Sequence, residues 1–394
     1  MGDRKGAEER TIALLLAKIK SKENKRAVTS WVEFLRAGGS NPRTIIKDLY
    51  CLTLFLKYAT FKTPLEKATK DELASALAKV EGSDYSPSTK RNVKVTLKAF
   101  YKHHLGEDLY YPKQVAWVKP SASRGKKMLP EDILSEEEIL KMIEAAGSVR
   151  DKAIIALLYD SGIRVGELLS LRKKDIDFNE DIAHITVNGK TGMRKIPILF
   201  SAPYLSSYLE FVKDKEPDSY LWTGIGRWTK SNKLVDDNAI RKVLRLAAEK
   251  ARIKKRIYPH LFRHSRATYY ANRLTEQQLK AFFGWTGDSK MVSTYVHMSG
   301  RDIDDAVLQA YGKKPKEMAA PMLVEKICPR CRYANGIDFL HCQRCGAPLD
   351  VSLAMRETKV TGTVKDAMLE MIKDPEFQKD MLSYLQKRRK GKGD

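Results

Sequence analysis

Between Tyr110 and Pro130 the apolar periodicity that runs through the first hundred residues stops. This stretch holds Pro112, Pro120, Ser121, Ser123, Gly125 and the pair Lys126-Lys127. Such residues end helices and strands and offer little apolar surface to bury. A chain interrupted there builds a separate core on each side. With 394 residues, 43% of them hydrophobic, it has material for two or three domains. Residues 113–130 are expected to be a basic linker between them.

The part before the linker reads as all-α. Residues 1–38 carry a basic helical pattern (Ile12, Leu15, Leu16, Ile19) and a second apolar patch around Trp31-Val32 and Phe34-Leu35, closed by Gly38-Gly39. From 39 to 112 the signals are those of helix starts and apolar faces. Asn41-Pro42 pairs an N-cap with proline at the first helical position, and Ile45, Leu49, Leu52 and Leu56 follow on one face. Thr69 with Glu72 forms a capping box ahead of Leu73, Leu77 and Val80, and Ser86-Pro87 opens a helix with Val93, Leu97, Phe100 and Tyr101 inward. The other face of that helix shows Lys90, Arg91, Lys94 and Lys98. Charged helix faces are usually just solvated, but four cations repel one another unless a polyanion meets them. Together with Lys126 and Lys127 they are the candidate DNA-phosphate contacts.

Beyond the linker the pattern is mixed α+β. Ser135 and Glu138 cap one helix, Ala153 to Tyr159 reads as a buried one, and Leu168, Leu169 and Leu171 mark a third. Ile182–Val187 and Lys195–Leu199 read as strands around the turn-forming run Asn188–Gly192. Thr275-x-x-Gln278 starts a short helix with Leu279, Phe282 and Phe283.

Within this second part lie side chains suited to a phosphodiester. Gly162-x-Arg164-x-x-Glu167-Leu168 comes first, then His260-x-x-Arg263-His264, then Gly284-Trp285, then Tyr295 with His297 close behind. Two guanidinium groups can hold a phosphate through paired hydrogen bonds as no lysine can. A phenol can attack phosphorus and form a covalent intermediate.

These boxes, in this order, resemble the tyrosine recombinases, also called the phage integrase family, over roughly residues 40–312. The resemblance implies an all-α, SAM-like core-binding domain over 39–112 and a catalytic domain over 131–315. It implies that Arg164 and Arg263 grip the scissile phosphate. His260 accepts the tyrosine proton or hydrogen-bonds the phosphate, and Tyr295 is the nucleophile. Tyr295 follows Trp285 by one residue more than the commonest family spacing; among 17 tyrosines, Tyr269 and Tyr270 read instead as packing. Trp285 stands where many relatives have histidine; its indole N–H donates but cannot titrate. Lys190, in the hairpin turn, is the candidate general acid, although turn lysines are commonly solvating, and Arg194 and Lys195 are competitors for that task. Glu167 and His264 are supporting residues: Glu167 orients Arg164 or makes an ordinary helix ion pair, and His264 stabilises the local fold. A short apolar face at Ile303, Val307 and Leu308 is expected to dock on a neighbouring protomer or on its own domain.

Near the end, Cys328-x-x-Cys331 and Cys342-x-x-Cys345 stand ten residues apart. Four thiolates satisfy a tetrahedral Zn²⁺ with no position left open, so a structural zinc ribbon over 325–350 is expected, separable from the chemistry. A rubredoxin-type iron or two disulfides are the other readings, and sparing cysteine use favours zinc in a reducing compartment. Arg330, Arg332 and Arg344 flank the ligands and either offset their charge or touch DNA. Residues 351–394 read as a helical basic tail with Val364, Met368, Met371 and Ile372 before Pro375, then Met381, Leu382 and Leu385, and Lys387 to Lys390 at the tip.

The formal net charge of +23 suits a polyanionic partner and, alone, would fit ribosomes or anionic lipid equally. The early apolar run Ile12 to Ala17 is too short for a secretory segment, and no stretch reaches membrane-spanning length, so a cytoplasmic, nucleoid-associated protein is expected. The function implied is site-specific recombination of double-stranded DNA, with a dimer on each site and a tetramer at synapsis, using no ATP and no Mg²⁺. A type IB topoisomerase uses a similar residue set, and a regulator on a decayed scaffold is the non-enzymatic alternative.

Overall fold

The computed structural model describes residues 2–106, 110–120, 129–179, 182–189, 191–212, 216–224, 235–289, 291–299, 311–312 and 321–379. Lys126, Lys127, Lys190, the apolar face at 303–308 and the basic tip of the tail lie outside them. The chain divides into two units, Met1–Lys127 and Met128–Asp394.

The first unit is all helical: α1 (Gly2–Ala17), α2 (Lys22–Ala37), α3 (Pro42–Tyr58), α4 (Lys70–Glu81), α5 (Pro87–Leu105) and the single turn α6 (Lys113–Ala116). Its helix starts follow the capping logic of the sequence. Asn41 accepts the Arg43 N–H, Thr69 and Glu72 close a reciprocal box, and Ser86 accepts the Thr89 N–H. Residues 2–38 do not stand apart as an extension: Ile12, Leu15, Ile19, Val28 and Trp31 share one core with Leu49, Phe55, Leu97 and Phe100. Trp31 meets Phe100 edge-on at 5.5 Å. The same core takes Val115 and Val118, both buried, so packing continues into the stretch expected to be linker.

The second unit begins with α7 (Glu136–Ala145), α8 (Val149–Ser161) and α9 (Val165–Ser170). A three-stranded antiparallel sheet follows, β1 (Ile176–Phe178), β2 (Ala183–Gly189) and β3 (Gly192–Ile198), in sequential order. Then come α10 (Ala202–Phe211), α11 (Asp237–Lys250), α12 (Pro259–Ala271), α13 (Glu276–Phe283) and α14 (Met291–Ser299). The core is built on α8, buried from Ala153 to Ser161. Ile185 and Ile196 from the sheet, Tyr204 and Tyr208, Trp222, Leu244 and Phe262 close around it. The β2–β3 ladder runs to Gly189↔Gly192, beyond the strand ends read from sequence. Gly192, at φ +99°, takes a left-handed conformation that favours glycine.

One buried carboxylate ties the layers together. Asp160 at the end of α8 accepts the N–H groups of Leu199 and Ser201 and pairs with Arg266 of α12 at 2.8 Å. The Arg266 guanidinium lies against the rings of Tyr159, Tyr269 and Tyr270. Tyr269 and Tyr270 thus serve packing, as read from the sequence.

The four-cysteine segment forms β4 (Lys326–Ile327) and β5 (Ala334–Asn335), an antiparallel pair. It is not a free appendage. Leu323 is part of the α8 core, and Ile337 and Phe339 pack against it. Asp338 accepts the Tyr204 hydroxyl at 2.7 Å and pairs with Lys152, and Tyr333 meets Ser206 at 2.8 Å. A Cβ on Gly336 would lie 2.8 Å from the Tyr204 ring, so this close approach requires glycine. The tail follows as α15 (Val351–Lys373), which ends before Pro375 and leaves Val364, Met368, Met371 and Ile372 exposed. Among the described residues no helix is long and apolar enough to cross a membrane.

Candidate active site

A tight turn after α8 starts the site. α8 ends at Gly162 in the left-handed region (φ +56°), where a Cβ would lie 2.6 Å from the Phe283 ring. The chain then turns through buried Ile163 to Arg164, the residue that caps α9. Glu167, one turn on, accepts the Arg164 backbone N–H at 3.0 Å and its guanidinium at 2.9 Å. The Arg164 side chain keeps 33% of its surface exposed and can still reach an incoming anion.

α12 contributes the second group. Arg263 is 2% exposed and donates to the carbonyls of Gly162 (3.0 Å) and Phe283. Its guanidinium lies 5.0 Å from the Phe283 ring and 5.6 Å from Trp285. Burial, then the neighbouring Arg164 charge, lowers its pKa to about 9, so it stays cationic at neutral pH. His260, one turn earlier, is exposed. Partial desolvation, followed by the charges of Arg263 and Arg164, holds its imidazole below the ordinary range. Its ring meets that of His264 edge-on at 4.5 Å.

Tyr295, on α14, is 1% exposed. Its ring stacks on Trp285 at 5.4 Å with only 4° between planes, and Trp285 in turn stacks on Phe283. The phenol oxygen lies 2.5 Å from Nδ1 of His264. Burial, opposed by Arg263, pushes the phenol up to about 12. Burial and then His260 push His264 down to about 4. Both groups are therefore neutral near pH 7; in the Nε2–H tautomer of His264 the phenol O–H donates and Nδ1 accepts. The contact gives His264 a partner that the sequence reading, which placed it as a fold-stabilising residue, did not identify.

A further side chain completes the cluster. Arg194 of β3 makes a two-pronged pair with Glu167 (3.0 and 2.8 Å) and donates from Nε to the Phe282 carbonyl at 3.1 Å. Burial alone would raise the Glu167 carboxyl. The hydrogen bonds from Arg194 and from the Arg164 backbone reverse that and hold it at about 2. Both terminal nitrogens of Arg194 are thus turned onto a carboxylate. Lys195, the other competitor, is paired with Asp177 on β1.

The structure thus gathers Arg164, Glu167, His260, Arg263, His264, Trp285 and Tyr295. Lys190 lies outside the described residues, but its neighbours are placed. The Thr191 hydroxyl donates to the Gly284 carbonyl at 3.2 Å, and Gly189 faces Glu167, where a Cβ would come within 2.4 Å of Oε1. In the first unit the cationic face is partly engaged. Lys90 donates to the Glu81 carbonyl, Lys94 pairs with the Glu81 carboxylate at 2.7 Å, and Lys98 covers the Tyr111 ring and donates to Val118. Arg91 is exposed.

The sulfurs of Cys328, Cys331, Cys342 and Cys345 all lie within 4.8 Å of one another, with two pairs at 3.6 Å. Metal–sulfur bonds of about 2.3 Å in a tetrahedron place sulfurs about 3.8 Å apart, so this donor set fits a metal ion.

A model of the phage integrase family matches residues 132–301, which span every group in the cluster. Tyrosine recombinase XerA of Pyrococcus furiosus is 29% identical over 286 residues, covering 70% of this chain and 91% of that protein. The chain carries a phage integrase family domain over these residues. Its recombinase fold is also that of XerH bound to palindromic difH substrate in a post-cleavage complex, with TM-score 0.55, 18% identity and coverage of 77% and 95%. A lambda integrase tetramer bound to a Holliday junction matches with TM-score 0.54, 17% identity and coverage of 71% and 78%.

Proposed function

We propose that this tyrosine recombinase cuts and rejoins double-stranded DNA at specific sites through a 3′-phosphotyrosyl intermediate. The observation that carries the reading is the convergence of Arg164, Arg263 and His260 beside Tyr295, from three segments of the second unit. In this reading the phosphate enters between the two guanidinium groups, which balance charge on its non-bridging oxygens. The Tyr295 oxygen attacks phosphorus, the bond to the 5′ oxygen breaks, and Lys190 supplies the proton that oxygen needs. The Tyr295 proton passes to an imidazole. His260 fits between phosphate and base; Trp285 holds the phenol ring by stacking and offers one N–H. The new ester keeps the free energy of the cut bond, so a 5′ hydroxyl from either duplex can reverse the step without ATP or Mg²⁺. Exchange between duplexes follows when a dimer on one site meets a dimer on another.

The first unit, with Arg91, Lys90, Lys94 and Lys98, and the segment bearing Lys126 and Lys127 contribute phosphate contacts along the duplex. Cys328, Cys331, Cys342 and Cys345 hold a structural Zn²⁺; filled by four thiolates, it has no role in scission.

The test is a duplex nicked near the cut site, which traps the adduct once the short strand diffuses away. Wild type should accumulate a covalent complex whose nucleotide maps to residue 295. Tyr295→Phe should bind with similar affinity and yield none; an adduct formed by that variant would show that another side chain attacks.

A further inference from the structure

Two arginines share one buried carboxylate. Glu167, 4% exposed, accepts at Oε1 from Nη1 of both Arg164 and Arg194, and at Oε2 from the Arg164 backbone N–H and Nη2 of Arg194. The Arg194 fork thus covers both oxygens, whereas the Arg164 guanidinium meets the carboxylate through Nη1. Its Nη2 has only a long approach, 3.5 Å, to the Gly284 carbonyl.

Arg194 is fixed in this position from several sides. Its side chain is 10% exposed, and its Nε donates to the Phe282 carbonyl at 3.1 Å. The next carbonyl, of Phe283, takes Arg263, and the one after, of Gly284, faces Arg164. Successive carbonyls at the negative end of α13 therefore receive all three guanidinium groups. A Cβ on Gly284, held at φ +59°, would lie 2.8 Å from Arg194 Nη1, so glycine there leaves the fork its room. A buried carboxylate left short of donors is costly, and a two-pronged pair with arginine is the strongest it makes. Without Arg194, the cation within reach of Glu167 is Arg164. Closing on the carboxylate with both prongs would draw that guanidinium out of the cleft it lines with His260 and Tyr258.

We propose that Arg194 is a positioning residue of the phosphate grip: by saturating Glu167 it keeps Arg164 from closing on its own carboxylate and leaves that guanidinium free for the incoming phosphate. This rests on the reading of Arg164 as phosphate ligand and Tyr295 as nucleophile.

The experiment uses full-length protein, single-turnover cleavage of the nicked duplex, and a melting curve for each variant. Arg194→Ala should cleave about 10- to 100-fold more slowly, as loss of one charged hydrogen bond would do. Arg194→Lys, which keeps the charge but not the fork, should fall between. Adding Glu167→Gln to either variant should speed cleavage about tenfold, because a neutral amide holds Arg164 weakly; a merely structural Arg194 would make the second lesion slow it further. A duplex with methylphosphonate at the scissile position carries no charge there to balance, so both single variants should cut it nearly as fast as wild type. Unchanged cleavage of the ordinary duplex by Arg194→Ala would overturn the proposal. So would equal losses on the two duplexes, or a folded double variant slower than its parent. Wild-type rates from Arg164→Ala, or an adduct from Tyr295→Phe, would sink the underlying reading instead, a different failure.

Discussion

A single hydrogen bond defines the surroundings of Tyr295, the proposed nucleophile. His264 partners a buried phenol, burial keeps both groups neutral, and a buried hydroxyl without a partner costs about 1–3 kcal/mol. The imidazole's folded pKa lies below its ordinary value of 6.5, at about 4. Its contribution to stability is therefore fully present above pH 6.5 and is lost as pH falls toward 4. His264→Asn keeps an acceptor but cannot titrate, so its melting temperature should fall less than that of wild type between pH 7 and pH 4.5; equal acid slopes would contradict this. The residues proposed to touch the reacting atoms were legible from the chain because their spacing resembles a known family. Arg194 was visible only as a basic residue near a turn. Its partner is 27 residues upstream, and period-two alternation says which face of a strand a side chain takes, not which carboxylate that face will meet.

Among the elements, the cysteine segment departs most from what its sequence suggests. The ligand spacing reads as a self-contained ribbon, yet Asp338, Tyr333, Ile337 and Phe339 dock it on α8 and α10. Chelation should therefore lower the melting transition of the whole second unit. A separate early transition with the main one unmoved, by calorimetry with and without chelator, would show that the ribbon melts alone. Helices with strong start signals, α3, α4, α5 and α7, appeared where caps and apolar faces placed them. α10 takes its place through the stack of Tyr208 on Trp222 and the Tyr204–Asp338 hydrogen bond, and α11 packs on α7, partners that no local pattern encodes. The packing of Val115 and Val118 was likewise hidden, because two valines between prolines and lysines carry no period.

At the scale of the molecule, two cores and a charge of +23 describe a protein that meets DNA largely through counterion release. If about 6–10 phosphates are neutralised, raising salt from roughly 50 to 200 mM should weaken binding by about 10³–10⁵. A nearly flat salt dependence in a filter-binding or anisotropy titration would rule out so broad an electrostatic footprint. The division into two units was readable from the interruption after Tyr110, whereas the closeness of the ribbon to the catalytic core was not. Sealing of the tyrosine, at 1% exposure, has a consequence for how such a protein lives on a chromosome. If Tyr295 attacks as proposed, its burial means that binding to ordinary duplex should leave the strand uncut, with scission awaiting exposure of the hydroxyl on α14.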